Sequence, residues 1–322
     1  MNDAINAINL TKYYDGLLAV DHINFGVKKG EIFGFLGPNG AGKTTTIRML
    51  TGLTLPSDGT AKIFGHDIQT ETFLAKKDMG IVPEYSNVYD DLSAWDNLMF
   101  TGELYRVPKA KREKRGKELL ELFGLYGRKK EKVKGFSKGM KRRLTIAMGL
   151  INDPKILFLD EPTSGLDVQS ALLIKGVIRE LIGRGVTIFL TTHNIEEANI
   201  WCDRVAIIQK GHILATDTPE VLKKTTQSVQ SVEVSFATSL KNGTGKLLKD
   251  LEKIAAVDKV TKEGRKFKLY TAEPSAVLPG LYEFSRAKRL KILSVNTLGP
   301  SLEDVFVKLT GIKIKPEDGN LE

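Results

Sequence analysis

Gly37-Pro38-Asn39-Gly40-Ala41-Gly42-Lys43-Thr44 is the octapeptide from which the rest of this sequence is read. A glycine, four intervening residues and Gly-Lys-Thr fit the phosphate-loop template. Before it, Glu31-Ile32-Phe33-Gly34-Phe35-Leu36 is a short apolar run that reads as a buried strand, and after it Thr45 to Leu50 reads as a helix stopping at Gly52. That strand–loop–helix context is what gives the motif weight. The glycines let successive backbone N–H groups turn inward without Cβ clashes, forming a nest for phosphate oxygens. The helix that follows points its positive end at the same anions, worth about 0.3–1 kcal/mol per exposed charge and up to about 2 kcal/mol when partly buried. Lys43 is placed to reach outer phosphates, and the Thr44 hydroxyl to hold Mg²⁺. The expected ligand is a nucleoside triphosphate, with Thr45 closing the binding stretch.

At 322 residues the chain has room for one large domain plus a smaller one, or two of middling size. Charged residues at 27% and hydrophobic ones at 41% describe an ordinary globular protein. No apolar run approaches the roughly 18–20 residues a membrane helix needs. The start, Met1-Asn2-Asp3-Ala4-Ile5, lacks the basic and apolar regions of a secretory signal. Any work at a membrane is therefore expected to rely on another chain to span it. The lone Cys202 excludes an internal disulfide, nothing supplies a zinc cluster, and the residue reads as a small buried hydrophobe in a reducing cytoplasm. A net charge of +9 and a pI near 9.3 favour anionic partners: nucleotide, acidic lipid headgroups or nucleic acid. Charge alone does not choose among them.

Ile5 to Leu10 and Ala19 to Val27 alternate like antiparallel strands. Between them Tyr13-Tyr14-Asp15-Gly16 puts two aromatics into a turn, where one could stack on a purine or simply cap the sheet edge. Leu55 to Gly59 is a turn and Thr60 to Phe64 a strand; Gly80-Ile81-Val82-Pro83 ends another, followed by Glu84. Helical period then runs over Ser93 to Tyr105 and Lys109 to Phe123, with Ser93 and Asp96 resembling a capping box. Lys109, Lys111, Arg112, Lys114, Arg115 and Lys117 read as a solvated helix face. Ser137 opens a helix through Lys141-Arg142-Arg143 to Leu150; by itself a Ser there is an N-cap.

Ile156-Leu157-Phe158-Leu159 runs directly into Asp160-Glu161-Pro162. This reads as a central parallel strand with two acids at its carboxyl end, where open α/β sheets place their ligands. Adjacent carboxylates at a buried strand end repel, and a divalent cation would relieve this, giving Asp160 to the metal and Glu161 to a water. Ser164-Gly165-Leu166-Asp167 turns into a helix over Val168 to Ile182; Thr187 to Leu190 is the next buried strand, ending in Thr191-Thr192-His193. Arg204 to Gln209 and His212 to Ala215 form a hairpin about Lys210-Gly211.

Near Thr225-Thr226-Gln227-Ser228 the character changes, which places the first domain at 1–225 and a second at 226–312. Beyond it, strand (Val229 to Phe236), helix (Thr244 to Ile254), strand (Val257 to Thr261), strand (Lys266 to Thr271), helix (Ser275 to Arg286) and strand (Ile292 to Asn296) make a small α+β module without a phosphate, metal or nucleophile signature. Ser301 starts a last helix, and 313–322 is a charged tail expected to be disordered.

Taken in order, these motifs over the first 225 or so residues resemble the ATP-binding subunit of an ABC transporter. Tyr14 stands at the A-loop, Gly37 to Thr44 at Walker A, Glu84 at the Q-loop, and Phe136 to Met140 at the signature. Ile156 to Asp160 stands at Walker B, followed by Glu161, with a D-loop from Ser164 to Asp167 and the H-loop His193. The resemblance implies a P-loop ATPase fold with a mixed sheet core, an antiparallel β edge and a helical subdomain over about 85–150. It also implies that Tyr14 stacks on adenine, that Lys43 and the loop amides hold phosphates, that Thr44, Asp160 and Glu84 arrange Mg²⁺, that Glu161 prepares the water and that His193 contacts the γ-phosphate. Ser137, Lys138, Gly139 and Met140 would act on the ATP of a second subunit, so that two chains close on two nucleotides.

Two departures stand out. Glu84 replaces the usual Gln, losing an amide donor and adding a negative charge. The signature is Phe-Ser-Lys-Gly-Met rather than the commoner Leu-Ser-Gly-Gly-Gln. Both are similar to the ABC-2-type exporters that include drug- and sodium-efflux ATPases. The implied function is to power export through a separate membrane permease as a homodimer, or a heterodimer with a related subunit. The chain would sit on the cytoplasmic face of the cell membrane and touch its anionic leaflet. A cassette acting on nucleic acid or ribosomes is disfavoured, because neither a second cassette nor a long coiled-coil insertion is present. A non-catalytic binding module is disfavoured by Asp160, Glu161 and His193.

Overall fold

The computed structural model describes residues 3–225, 230–237 and 244–311. The chain forms two compact units, Met1–Pro219 and Glu220–Glu322. The division falls a few residues ahead of Thr225, because an ordered helix, α8 (Pro219–Lys224), precedes the polar run. Past Thr225 that run lies outside the described residues, as does the charged tail 313–322.

The first unit is built on a six-stranded sheet in the order β10 (His212–Asp217), β9 (Arg204–Gln209), β3 (Ile32–Leu36), β8 (Thr187–Thr192), β7 (Ile156–Asp160) and β6 (Met79–Val82). From β9 to β6 neighbours run parallel; β10 is antiparallel to β9. Every residue of β3, β7 and β8 is buried. Strands covered on both faces need apolar residues at successive positions, which is why these three read as unbroken runs. Register aligns their carboxyl ends, with Leu36 opposite Thr192 and Asp160 opposite Thr191.

A second, antiparallel sheet runs β2 (Leu17–Lys28), β1 (Asp3–Tyr14), β4 (Asp58–Ile63) and β5 (His66–Asp67). Asp15 and Gly16, both at positive φ, make the two-residue turn whose twist matches a right-handed hairpin. β1 and β2 extend beyond the alternating stretches in the sequence because bulges near Ala7, Leu10 and Lys12 interrupt the alternation. The sheets meet through Phe25 of β2, Phe33 and Phe35 of β3 and Phe189 of β8, with ring centroids 5.2–6.2 Å apart. Such pairs add about 0.5–1.5 kcal/mol each beyond the area they bury. Cys202 is buried against Gly34, where an added Cβ would lie 2.5 Å from Sγ, and burial pushes its thiol pKa up. An inert packing role follows.

The phosphate loop leads from β3 into α1 (Lys43–Leu50), and α2 (Thr72–Lys77) precedes β6. A helical segment of α3 (Ala94–Leu104), α4 (Lys109–Leu122) and α5 (Lys138–Gly149) follows β6; α6 (Val168–Gly183) links β7 to β8, and α7 (Ile195–Trp201) follows β8. The short α2 and α7 carry too few turns to show a period in the sequence. At α3 the expected capping box is only half made: the Ser93 hydroxyl accepts from Asp96 N–H at 3.1 Å and itself donates to the Asp96 carboxylate at 2.6 Å. The complete box is Ser301–Asp304, where the carboxylate also accepts from the Ser301 backbone N–H.

The second unit is an antiparallel sheet in the order β12 (Lys259–Glu263), β13 (Lys266–Thr271), β11 (Gln230–Phe236) and β14 (Ile292–Leu298), with α9 (Thr244–Leu251), α10 (Pro274–Ala287) and α11 (Leu302–Thr310). Val232, Val234 and Phe236 alternate along β11 into a core with Leu251, Phe267, Leu269, Val277 and Leu281. Period-2 strands and period-3.6 helices share one apolar interior, so the pattern is legible from sequence.

Candidate functional site

The parallel strand ends open into a cleft of about 820 Å³ lined by Tyr14, Pro38, Asn39, Gly40, Ala41, Gly42, Lys43, Thr44, Thr45, Glu84, Glu161, Ser164 and His193. The floor is the phosphate loop. Gly37 passes so close to β9 that a Cβ there would lie 2.3 Å from the Ile208 carbonyl oxygen, while its N–H donates to Thr192 O at 3.2 Å. Gly42, at φ 104°, is the N-cap of α1, and a Cβ on it would meet Ala19 O at 2.6 Å. No side chain caps this helix, so α1 presents its first N–H groups to the loop. The helix starts earlier than its apolar pattern suggested: Lys43 and Thr44 lie in its first turn.

Lys43 is buried, and its ammonium donates to Gly37 O at 2.6 Å and Pro38 O at 3.3 Å. It also sits 3.1 Å from Glu161 Oε1, an ion pair without hydrogen-bond geometry. His193 Nδ1 donates to the other oxygen, Glu161 Oε2, at 2.9 Å, with its ring half exposed. The carboxylate is 7% exposed, so these two groups dominate its surroundings. Glu161 itself stands at φ +47°, a left-handed conformation that costs a non-glycine residue of the order of 1 kcal/mol or more. Its N–H donates to both the carbonyl and the hydroxyl oxygen of Thr191, each at 3.1 Å. The same Thr191 hydroxyl donates to the Asp160 carboxylate. One buried side chain on β8 therefore orients both adjacent acids of β7.

Asp160 lies behind the cleft wall, 3% exposed. Thr44, Asp160 and Glu84 are hard oxygen donors of the kind Mg²⁺ takes. Among the described residues no three acidic or histidine side chains form a metal site by themselves. Mg²⁺ is commonly held by one or two carboxylates together with substrate phosphates and waters, not by an all-protein cage. Glu84 is exposed at the rim, shared between this cleft and a neighbouring groove of about 410 Å³. Tyr14 flanks the cleft 37% exposed, its ring 5.1 Å from the Lys12 ammonium.

Ser137, Lys138, Gly139 and Met140 are not among the residues lining the cleft of their own chain. The Ser137 hydroxyl caps α5, accepting from Met140 N–H at 3.2 Å. Gly139 has a local reason to be glycine: a Cβ would lie 2.3 Å from Ser170 Oγ of α6. Lys138 lies over Gly165, where an added Cβ would come within 2.2 Å of its Nζ. Asp167 caps α6, accepting from Ser170 N–H at 2.8 Å and from the Ser170 hydroxyl at 2.9 Å, and these bonds hold its pKa below the usual carboxylate value.

Three residues escape sequence reasoning. Thr191 shows only as the end of an apolar strand. Glu197 receives the hydroxyls of Thr163 and, at 3.0 Å, Thr192, tying α7 to the site. Arg142, 4% exposed on α5, sends its guanidinium to backbone carbonyls at both Glu84 and Glu161. Burial lowers its pKa to about 10, partly offset by the field of Asp160, Glu84 and Glu161, so it remains a cation at neutral pH.

The comparisons agree with this geometry. Residues 20–164 match the family model described as ABC transporter. A linearmycin resistance ATP-binding protein of Bacillus subtilis (strain 168) is 37% identical over 310 residues, covering 95% of this chain and 98% of its own. The Nod factor export ATP-binding protein I of Ralstonia nicotianae is 37% identical over 308 residues, covering 95% and 93%. The daunorubicin/doxorubicin resistance ATP-binding protein of Streptomyces peucetius is 36% identical over 309 residues, covering 96% and 92%. Among solved structures, an ATP-binding subunit of an ABC transporter superposes with a TM-score of 0.64 at 28% identity, over 69% of this chain and 92% of that one. A dimeric ATP-binding cassette in a post-hydrolysis state with ADP and phosphate gives 0.61 at 26% identity, over 66% and 98%. The mixed sheet, antiparallel edge and helical segment expected from sequence are thus the observed fold.

Gly37→Ala forces a methyl group against the Ile208 carbonyl and is expected to displace the loop. Titration with a fluorescent ATP analogue should show affinity reduced roughly tenfold or more. Unchanged affinity would place the nucleotide elsewhere.

Proposed function

This chain belongs to the family of ABC transporter ATP-binding subunits, and we propose from that premise that its ATP hydrolysis powers export through a separate transmembrane permease. The observation that carries the catalytic part is Glu161 Oε1: a buried carboxylate oxygen that accepts no hydrogen bond among the described residues, beside the phosphate loop and 3.1 Å from Lys43 Nζ. His193 occupies Oε2, which leaves Oε1 as the oxygen free to accept a proton from an attacking water. Lys43 and the loop amides bind the phosphates and meet the charge that builds up during phosphoryl transfer. When bound, Mg²⁺ would neutralise phosphate charge, held by Thr44 and Asp160 with Glu84 at the rim. Tyr14 supplies a ring for the adenine, and His193 reaches the γ-phosphate from the cleft edge.

The signature residues complete the cleft of a second copy, or of a related subunit. Two observations support this: Ser137 to Met140 stay out of their own chain's cleft, and a similar cassette is described as dimeric. Ser164 and Asp167 lie beside them and act with them at that interface. The relatives named for export and drug resistance support an exporter, and no helix among the described residues is long and apolar enough to cross a membrane. The chain works at the cytoplasmic face of the membrane.

Basic residues contribute to that placement. Arg112, Arg115 and Lys117 on α4 are paired with Glu103, with Glu118 and Asp153, and with Glu121; Lys109, Lys111 and Lys114 are exposed. Near an anionic leaflet each such residue is worth about 1 kcal/mol. The C-terminal unit serves regulation or dimerisation.

Glu161→Gln is expected to keep ATP affinity within a few-fold, lower kcat by about 10²–10⁴ and accumulate a dimer with ATP on size exclusion; undiminished turnover would remove Glu161 as the base. Sedimentation with vesicles should show tighter binding to acidic than to neutral lipid, and equal binding would exclude the anionic-leaflet contact. Removing residues 229–322 is expected to weaken dimerisation or lower the ATPase rate. If neither changed, that unit would have no part in the cycle.

A further inference from the structure

Arg142 makes an arrangement that no motif describes. A guanidinium has five N–H donors in a rigid planar fork and no acceptor. Here they meet five backbone carbonyls: Nε donates to Pro162 O at 3.0 Å, Nη2 to Asp160 O at 2.7 Å and Glu161 O at 3.1 Å, and Nη1 to Glu84 O at 3.0 Å and to Pro83 O. Among the described residues its recorded hydrogen bonds all go to backbone carbonyls, none to a carboxylate side chain. The charge is buried to satisfy backbone, at positions where an apolar side chain would remove a donor from all five carbonyls and leave Glu161 O with only its bond from Ser164 N–H at 3.3 Å.

The five acceptors fall on two segments that are remote in sequence. Pro83 and Glu84 follow β6, and Asp160, Glu161 and Pro162 end and follow β7. Both segments line the nucleotide cleft, through Glu84 and Glu161. The fork itself stands on α5, whose N-cap is Ser137 and whose first turn packs against α6 through Gly139 and Ser170. Glu161 needs such bracing, since its backbone is held at φ +47°. Thr191 fixes its N–H from β8, and Arg142 fixes its carbonyl from α5.

We infer that Arg142 is a positioning residue for hydrolysis: it aims the Glu161 carboxylate by holding its backbone, and it makes that aim, together with the place of Glu84, depend on where α5 stands. The inference rests on the reading of Glu161 as the base. A displacement of α5, the helix that carries Ser137, reaches the hydrolytic carboxylate through one planar group instead of through the loose packing of several. Lysine cannot replace it. An ammonium has three donors and no plane, so at least two of the five carbonyls lose this donor and the two segments are no longer held in one register. Misplacing a reacting group by about 1 Å can cost on the order of 10²-fold in rate. Arg142 touches no part of the loop that grips the phosphates, so binding and turnover should separate.

The test compares the full-length protein with Arg142→Lys, Arg142→Gln and Glu161→Gln, measuring ATP affinity, kcat, KM and the thermal midpoint. Both Arg142 variants are expected to bind ATP within about threefold of the parent while kcat falls about 30- to 100-fold, with Lys no better than Gln. Three results would overturn the inference. One is kcat within about threefold of the parent while Glu161→Gln is inactive, which leaves the base in place and removes only Arg142. Another is a loss of affinity as large as the loss of kcat, or failure of both variants to fold, either of which makes Arg142 a scaffold residue. The third is full turnover by Glu161→Gln, which would remove the base itself and with it anything for Arg142 to aim.

Discussion

Parallel register among β3, β8 and β7 is the constraint on which everything else in the first unit depends. It brings the end of one strand into a phosphate loop and the end of another into two acids, with a third between them that supplies Thr191. Gly37 can leave β3 only because it lacks a Cβ, since Ile208 of the next strand is already against it. The helix dipole of α1, the ammonium of Lys43 and the carboxylate of Glu161 then converge without any loop having to search for them. Fixing such charges in advance is how a site stabilises phosphoryl transfer, where the protein does little covalent chemistry.

Buried charge is costly, and here it is compensated in a graded way. Asp160 and Glu161 are neighbours on a buried strand end, where two like charges repel and each loses its hydration. Lys43 and His193 stand against Glu161, the Thr191 hydroxyl against Asp160, and the Arg142 cation behind both. Removing any one member would leave an uncompensated group in a low-dielectric setting, a larger penalty than the net worth of the pair. The left-handed backbone of Glu161 belongs to the same economy: strain tolerated at a site because surrounding hydrogen bonds over-determine it.

The second unit follows other rules. Its core is local alternation between strands and helices, and among the described residues its buried polar groups are Ser231, Thr271 and Ser285, none of them ionic. The curated relatives align over more than nine-tenths of this chain, so they share both units, whereas the solved cassettes cover about two-thirds of it. The C-terminal unit is thus a feature of this exporter-like group of relatives more than of the cassette fold.

Elements whose signal is local were legible in the sequence: the phosphate loop, the apolar runs of β3, β7 and β8, the acids after β7, and the strand–helix succession of the second unit. Each is specified by neighbouring residues, so periodicity and turn chemistry suffice. Gly139 shows the limit, because its need for glycine comes from Ser170 on another helix. Only the tertiary structure could reveal Thr191 beneath Asp160 and Glu161, Glu197 beneath Thr163, or Arg142 between Glu84 and Glu161. Those partners are separated by tens of residues, so no local pattern marks them: Thr191 and Glu197 meet Asp160 and Thr163 through side chains that only the fold brings together, and Arg142 meets backbone carbonyls, which every residue type shares.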